Sequence, residues 1–238
     1  MAGEIETGML LKFKTGKEFS YNELRGSTPS SKFAYHLRNL VSQKIVEKQR
    51  DVYRLTDKGM ELMGRIEGTT GERKEPPIVG AYVLVRGPGG KVLLKLRNAQ
   101  PFLGYFGMIG GKVEFGKPPE DEARRELLEE TGLKADLKLR LITNLITVNT
   151  ESGRCVHHAI GFWYLGENPK GTLIRNQIEG RNAFLTPSEM LKRKRIPDLD
   201  FLVPAILEQA RGVRFASIMH EMKDGKFIGM KILSDSDC

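Results

Sequence analysis

Three glutamates, Glu126, Glu129 and Glu130, stand at positions i, i+3 and i+4 of a segment that follows a Pro-Pro pair and ends at Gly132. Proline at the start and glycine at the end are typical of a helix, so the spacing places the three carboxylates on one helical face. Carboxylates crowded in a cleft either take up protons or bind a hard cation. Mg²⁺ is the usual choice beside phosphates, because it neutralises their charge and activates water. On an exposed helix, the same pattern is an ordinary solvated face.

A glycine turn precedes this helix. Gly110-Gly111 permits a tight turn in which the backbone comes close to the helix. The segment from Gly110 to Leu133, GGKVEFGKPPEDEARRELLEETGL, resembles the Nudix box. The family pattern is a glycine, five residues, Glu, seven residues, then Arg-Glu-apolar-x-Glu-Glu-x-Gly-apolar. Gly111 and residues 125–133 fit at the required spacing, and Lys117 stands where the family has glutamate.

The resemblance implies an α/β fold for this part of the chain, a Nudix α/β/α sandwich with a mixed sheet, and a bound Mg²⁺ with Mn²⁺ as the alternative. It also implies roles for individual residues. The implied metal ligands are the Gly110 carbonyl, Glu126, Glu129 and Glu130. The implied catalytic residues are these glutamates with Arg125 and Glu179, and the implied substrate-binding residues are Lys112, Arg97 and Arg181.

Two of these residues leave alternatives open. Lys117 would face Arg125 with like charge, so Arg125 is expected to pair with Glu114 or Glu122, and activity to be retained but reduced. Glu179 lies in a loop after the box, from which many Nudix enzymes recruit a further ligand or base. An ordinary surface glutamate is the alternative interpretation.

The stretch before the box divides at a segment rich in glycine, charge and proline, which predicts a domain over residues 1–67, a linker over 68–77 and a second domain over 78–238. Helices are predicted at 7–13, 20–24 and from Ser31, then a hairpin of 44–49 and 52–55, then a helix from Thr56 to about 66. This order, mostly α-helical, resembles the winged helix-turn-helix domains of transcription regulators. The resemblance implies that the helix from Ser31 enters a DNA major groove and that the Arg50 tip is a wing.

Charge in this first domain supports a nucleic-acid partner. Residues 12–58 carry eleven Lys or Arg against five Asp or Glu. The alternative is a module for dimerisation or protein contact. The candidate residues for double-stranded DNA are Lys32, His36, Arg38, Asn39, Lys48, Arg50 and Arg54.

In the second domain, the pattern predicts a hairpin of strands 78–86 and 91–97 around Gly87 to Gly90, and further strands at 137–148 and 155–165. A capping box at Thr186 and a helix over 198–210 follow. A last hairpin joins 213–219 to 226–233 around Asp224-Gly225.

The composition favours a globular protein of two domains: 238 residues, 39% hydrophobic and 29% charged, with a net charge of +8 and a mean hydropathy of -0.35. We expect a cytoplasmic homodimer with no membrane segment, since no apolar run reaches about 18 residues. Cys155 and Cys238 make no disulfide framework or zinc site.

Three functions are compatible with this organisation. The first is hydrolysis of a phosphoanhydride in a nucleoside-diphosphate-linked compound such as ADP-ribose or an NDP-sugar. The second is a transcription regulator whose weakened Nudix domain senses a nucleotide-like effector. The third is a hydrolase acting on nucleic-acid ends or modified nucleotides, with the first domain as a substrate-binding module.

Overall fold

The computed structural model describes residues 4–67, 75–100, 102–208 and 212–237. Two compact units divide the chain, Met1–Pro76 and Pro77–Cys238. Most of the predicted linker (68–74), the end of the helix predicted to reach 210, and Cys238 lie outside the described residues. Among the described helices, none has the length and apolar character needed to cross a membrane.

Within its described residues, 4–67 and 75–76, the first unit combines four helices with a small antiparallel sheet in the strand order β1-β3-β2. The elements are α1 Glu4–Lys12, β1 Glu18–Ser20, α2 Tyr21–Arg25, α3 Ser30–Ser42, β2 Val46–Gln49, β3 Val52–Leu55 and α4 Asp57–Met63. The predicted hairpin of β2 and β3 is confirmed. The short strand β1 was not predicted, because three residues at a sheet edge carry too little pattern to read.

Local signals explain where these helices begin. The Ser20 side chain accepts from the Glu23 N–H and the Glu23 side chain accepts from the Ser20 N–H, which is the predicted capping box. Thr56 caps α4 in the predicted way. On α3, Phe33 and Leu37 are buried in the core of the unit, as the helical spacing predicts.

The second unit contains ten strands and three α-helices within its described residues. The elements are β4 Ile78–Val85, β5 Val92–Arg97, β6 Phe106–Gly107, β7 Ile109–Lys112, α5 Pro119–Thr131, β8 Leu133–Asn149, β9 Cys155–Gly171, β10 Asn176–Gln177, β11 Gly180–Leu185, α6 Pro187–Leu191, α7 Leu199–Glu208, β12 Arg214–Lys223 and β13 Lys226–Asp237. Strands β8 and β9 each have 17 residues and extend well beyond their predicted bounds.

The strands form a mixed six-stranded sheet in the order β13-β12-β8-β9-β4-β7 and an antiparallel four-stranded sheet in the order β10-β11-β5-β6. In the larger sheet, β12 runs parallel to β8 and β4 runs parallel to β9. The predicted hairpin of β12 and β13 around Asp224-Gly225 is confirmed.

The predicted hairpin of β4 and β5 is wrong. A single bridge, between Arg86 and Val92, joins the two segments. Strand β4 itself pairs with β9 and β7, whereas β5 pairs with β11 and β6. The glycine-proline turn does reverse the chain, but local turn chemistry does not decide which sheet a strand joins. Partners far along the sequence decide that here.

Helices cover both faces of the larger sheet. Along β4, Ala81 and Val83 pack on the side of α5 with Leu127, whereas Leu84 packs on the other side with Leu202 of α7. This alternation is what a strand buried on both faces requires. The predicted α/β/α sandwich with a mixed sheet is confirmed.

Candidate active site

Helix α5 carries the three glutamates and is fixed at both ends. Pro119 is its first residue, and Gly132 ends it in the left-handed conformation with φ 72°, where its N–H donates to the Leu128 carbonyl at 2.8 Å. Ala123 and Leu127 are buried against the sheet. The glutamates therefore lie along the flank of a helix that cannot rotate without unpacking its apolar side.

The glycine turn lies directly against this flank. Gly110, at φ 139°, has no room for a side chain, because a Cβ would collide with the Ala81 carbonyl. A Cβ on Gly111 would lie 2.5 Å from Glu126 Oε1, so that carboxylate fills the space a side chain would take. The Gly110 N–H donates to Glu130 Oε2 at 3.3 Å. Glycine is thus needed at both positions for backbone and carboxylates to meet.

Arg125 binds three carboxylates of its own helix, which are called the outer carboxylates below. Its guanidinium contacts Glu126 Oε1 at 2.8 Å, Glu129 Oε2 at 2.7 Å and Glu122 Oε2 at 2.7 Å. The hydrogen bond with Glu122 raises the pKa of Arg125 above its usual range. Glu122 is one of the two partners expected from the sequence, and Lys117 is exposed. Glu122 therefore supplies a carboxylate partner for Arg125, although position 117 is a lysine.

Lys95 binds the Glu130 carboxylate, which is called the inner carboxylate below. This role of Lys95 was not predicted from the sequence. It lies on β5, and its Nζ contacts Glu130 Oε1 and stands 3.6 Å from Glu179 Oε2. The side chains of Lys95 and Glu130 are 5% and 11% exposed, whereas that of Glu179 is 72% exposed. Burial raises the pKa of Glu130, and the hydrogen bond from Lys95 opposes that rise. The available signal was a lysine inside the apolar run Val92 to Leu96.

Asn182, on β11, ties the end of α5 to its surroundings. Its Nδ2 donates to the Glu130 carbonyl at 2.6 Å and to the Ile174 carbonyl at 2.8 Å. In the register of the two strands it stands opposite Lys95. Its Oδ1 is buried and accepts no hydrogen bond from the described residues. Gln177 Nε2 donates to the Glu129 carbonyl at 3.0 Å from the neighbouring strand.

A cavity of about 510 Å³ opens beside the glycine turn, with Gly110 and Arg97 in its wall. Tyr82 and Trp163 stack in that wall with ring centroids 4.3 Å apart and an interplanar angle of 19°. Most of the lining is apolar, in the manner of pockets for small organic ligands. A flat ring system fits such a wall. His157 also lines it.

Asp198 and His220 are two of the buried polar residues that line this cavity. Burial raises the pKa of Asp198 to about 7, and burial lowers the pKa of His220, with the His157 charge acting in the same direction. His220 Nε2 lies 3.9 Å from Asp198 Oδ2, too far for a hydrogen bond, and it accepts or donates none within the described residues. Both groups can therefore donate to or accept from a ligand.

The other predicted site residues are spread more widely. Arg97 lines the cavity, and Lys112 is exposed at the end of β7. Arg181 is exposed and stands opposite Leu96, so it shares a face with Leu96 and not with Lys95. Of the three predicted substrate-binding residues, the structure brings only Arg97 to the cavity.

The residues predicted to contact DNA fall into two groups. His36 Nδ1 lies 3.0 Å from Glu6 Oε1, and Asn39 Nδ2 lies 3.5 Å from the same oxygen, so both sit against α1 and are partly buried. These two candidate residues for DNA therefore contact α1 of their own unit. The exposed residues are Lys32 and Arg38 on α3 and Lys48 and Arg50 on the hairpin, while the partly buried Arg54 pairs with Glu47 at 2.6 Å.

A family model described as the NUDIX domain matches residues 76–203, more than half of the chain. The chain belongs to the NUDIX family. A curated relative, the oxidized purine nucleoside triphosphate hydrolase of Danio rerio, is 48% identical over 54 residues, which are 23% of this chain and 34% of that protein. This NUDIX chain thus matches about a third of the length of that relative.

Solved structures resemble the second unit. The MutT protein from Bacillus halodurans is 19% identical, covers 66% of this chain and 97% of its own, and superposes with a TM-score of 0.56. The NUDIX domain of Shewanella oneidensis NrtR, complexed with ADP ribose, is 17% identical, covers 66% and 100%, and has a TM-score of 0.49. The first of these shows that the NUDIX fold is shared.

Proposed function

We propose that the chain is a Mg²⁺-dependent hydrolase that cleaves a phosphoanhydride bond in a nucleoside-diphosphate-linked compound. The observation that carries the proposal is the double position of Gly110, which touches the Glu130 carboxylate and forms part of the cavity wall. In the proposed complex, the ring of the ligand lies in the cavity, with the stacked Tyr82 and Trp163 on one side and Asp198 with His220 on the other. Its phosphates then extend toward α5. ADP-ribose and NDP-sugars have this shape, as do purine nucleoside triphosphates.

The chemical type of the donor atoms, which is oxygen, fits a hard divalent ion. Carboxylate and carbonyl oxygens are the ligands that Mg²⁺ prefers, and the Glu126 carboxylate lies directly against Gly111. Among the described residues, however, no three metal-ligating side chains converge, because Arg125 and Lys95 hold the glutamates. These pairs have to open when an ion binds.

Different residues of the chain then bind the ion, accept the proton and bind the phosphates. Glu126, Glu129 and Glu130 hold the ion with the Gly110 carbonyl, and when bound it neutralises phosphate charge and lowers the pKa of the attacking water. One of the glutamates, or Glu179, takes the proton of that water. Arg97, in the cavity wall beside Gly110, binds the phosphates.

A panel of substrates tests this proposal. Purified full-length protein is incubated with Mg²⁺ or with EDTA and with ADP-ribose, NDP-sugars, dinucleoside polyphosphates, and ordinary and oxidised purine triphosphates. We expect Mg²⁺-dependent cleavage of at least one class, read by chromatography of the nucleotide products. Folded protein that turns over none of them would refute the proposal.

A second function is a regulator that binds double-stranded DNA through the first unit and a nucleotide-like effector through the second. It is favoured by the element order of the first unit, three helices and then a hairpin tipped by Arg50, with Lys32 and Arg38 exposed on the third helix. Effector and DNA must then change each other's affinity by the same factor.

Binding to duplex DNA at several salt concentrations tests this second function. If about four cationic side chains meet phosphates, the logarithm of affinity falls with that of salt at a slope of roughly -4. Replacing Arg50 with Ala should reduce that slope by about one, and His36→Ala, which removes a contact to Glu6, serves as the contrasting variant. No retention of DNA with or without nucleotide would remove this function.

We also propose a homodimer, formed through the edge strand β13. Ile228, Ile232 and Leu233 are exposed on this strand, which pairs with β12 on one side only. A long sheet edge that exposes apolar side chains is a ready template for pairing with a second chain. Sedimentation should give twice the monomer mass, and Ile232→Lys should shift the equilibrium to monomer.

A further inference from the structure

Lys95 is out of place by the ordinary rules of burial. It sits in the strand Val92–Arg97, between Leu94 and Leu96, which pack in the apolar core, and its own side chain is almost fully buried. A lysine is rarely buried in this way unless it is paired, since removing an ammonium from water is costly. Its partner is Glu130, which the proposed function makes a metal ligand.

Both oxygens of Glu130 are already engaged. Oε1 contacts the Lys95 ammonium, and Oε2 accepts from the Gly110 N–H at 3.3 Å. A divalent ion that binds Glu130 would stand within a few ångströms of the ammonium, and two positive charges at that distance in a partly buried site repel strongly. The ion and the ammonium therefore compete for one carboxylate.

We propose that Lys95 is an internal counter-cation of the box, which a divalent ion displaces from Glu130 when it binds. This inference rests on the proposed function, since it takes Glu130 to be a ligand. In the metal-free protein Lys95 neutralises Glu130, while Arg125 holds Glu126 and Glu129. In the metal-bound protein it leaves, so the affinity for the ion is lower than the glutamates alone would give.

Two acceptors are available to the displaced ammonium. Glu179 Oε2 is already 3.6 Å away. Asn182 stands opposite Lys95 on the neighbouring strand, on the same face, and its buried Oδ1 accepts no hydrogen bond from the described part of the chain. A buried acceptor without a donor is costly, and Lys95 can satisfy it. Glu179 then serves as a partner of Lys95, which leaves one of the box glutamates, the other candidate named above, as the base.

Binding of Mn²⁺ alone tests the inference without any substrate. The full chain is titrated with Mn²⁺ at pH 8, the free ion is read by electron paramagnetic resonance, and Mg²⁺ is measured by competition. Lys95→Met keeps the length and packing of the side chain and removes its charge. Lys91→Met is the matched control, because it removes the same charge from an exposed position at the other end of the strand.

We expect Lys95→Met to bind Mn²⁺ about tenfold more tightly than the natural protein and Lys91→Met to stay within about twofold. Unchanged or weaker binding by Lys95→Met would overturn the inference and leave the proposed function intact, provided that the natural protein binds the ion. If neither the natural protein nor Lys95→Met binds it, the proposed metal site itself is wrong. Lys95→Gln replaces the methionine variant if that one does not fold.

A second readout follows the ammonium directly. In spectra of lysine side-chain nitrogen, the signal absent from Lys95→Met identifies Lys95 Nζ. Saturation with Mg²⁺ should shift this signal as the ammonium leaves Glu130. A signal that stays in place while the ion binds would contradict displacement.

Discussion

Two cations neutralise Glu126, Glu129 and Glu130 of α5, one from the same helix and one from a distant strand. Arg125 belongs to the same helix, is about a third exposed, and reaches its partners three and four residues away and next to it. Lys95 comes from a strand 35 residues earlier and meets Glu130 where both are buried. Exposed ion pairs contribute little to stability, whereas breaking a buried one is costly. The inner pair is therefore expected to be the more sensitive of the two.

The largest effect is expected from the inner carboxylate. Glu130→Gln removes a proposed metal ligand and leaves the buried Lys95 without its partner, so turnover of the best substrate should fall by roughly a thousandfold. Initial rates at saturating Mg²⁺ measure this. The control is Glu120→Gln on the same helix, whose partner Arg124 is equally exposed, and it should change the rate less than twofold. A Glu130→Gln rate within tenfold of the natural protein would contradict the assignment.

The outer cation should matter less. Arg125→Gln frees Glu126 and Glu129 and leaves the buried Glu122 carboxylate without its main partner, so we expect kcat/KM to fall by about 10–100-fold. Stability should fall by about 1–3 kcal/mol, measured by urea unfolding. Arg124→Gln breaks the exposed pair with Glu120 and an exposed 3.4 Å hydrogen bond to the Ala135 carbonyl, and should cost less than about 1 kcal/mol. Equal losses in the two variants would show that Glu122 does not depend on Arg125.

Asp198, a buried carboxyl without a close cation, provides a third case for this comparison. Burial raises the pKa of Asp198 to about 7, well above its unfolded value of 3.8, so the folded state binds the proton more tightly. Its contribution to stability is present at low pH and is lost as pH rises through 7. Between pH 5 and 7.5 the natural protein should lose about 2 kcal/mol more than Asp198→Asn, by unfolding at each pH. The same pH dependence in both proteins would show that Asp198 is not the titrating group.

The smallest effect is expected from the residue that departs from the family pattern. Because Glu122 already binds Arg125, Lys117→Glu should change kcat/KM by less than about threefold. Lys170→Glu, an equal charge change at an exposed position of β9, is the control for a general electrostatic effect. An increase of tenfold or more in Lys117→Glu alone would mean that position 117 limits the site.

The same contrast explains what the sequence could predict. The box helix, its ends, and the Arg125–Glu122 pair follow from spacing along one element, where periodicity and capping residues act locally. Lys95, Asp198 and His220 were missed because segments far apart in sequence bring them to the site: β5, the turn before α7, and β12. The pairing of β4 and β5 was predicted wrongly for the same reason, since a turn reverses the chain but does not choose its partner.

The first unit repeats this lesson. The periodicity of α3 correctly predicts that Phe33 and Leu37 are buried, but it cannot tell which polar residues face α1. His36 and Asn39 do so because Glu6 is buried beside them. Only the three-dimensional packing separates these two from the exposed Lys32 and Arg38.

The central claim is that the box glutamates direct water to a phosphorus atom of a nucleoside-diphosphate-linked compound. Cleavage of the best substrate in ¹⁸O-water, followed by ³¹P NMR, tests it most directly. We expect one ¹⁸O in a phosphate of the products with Mg²⁺ and the natural protein, and no product with Glu130→Gln or with EDTA. Folded protein that binds a nucleotide yet forms no labelled product under any of these conditions would contradict the account and leave the sensing function in its place.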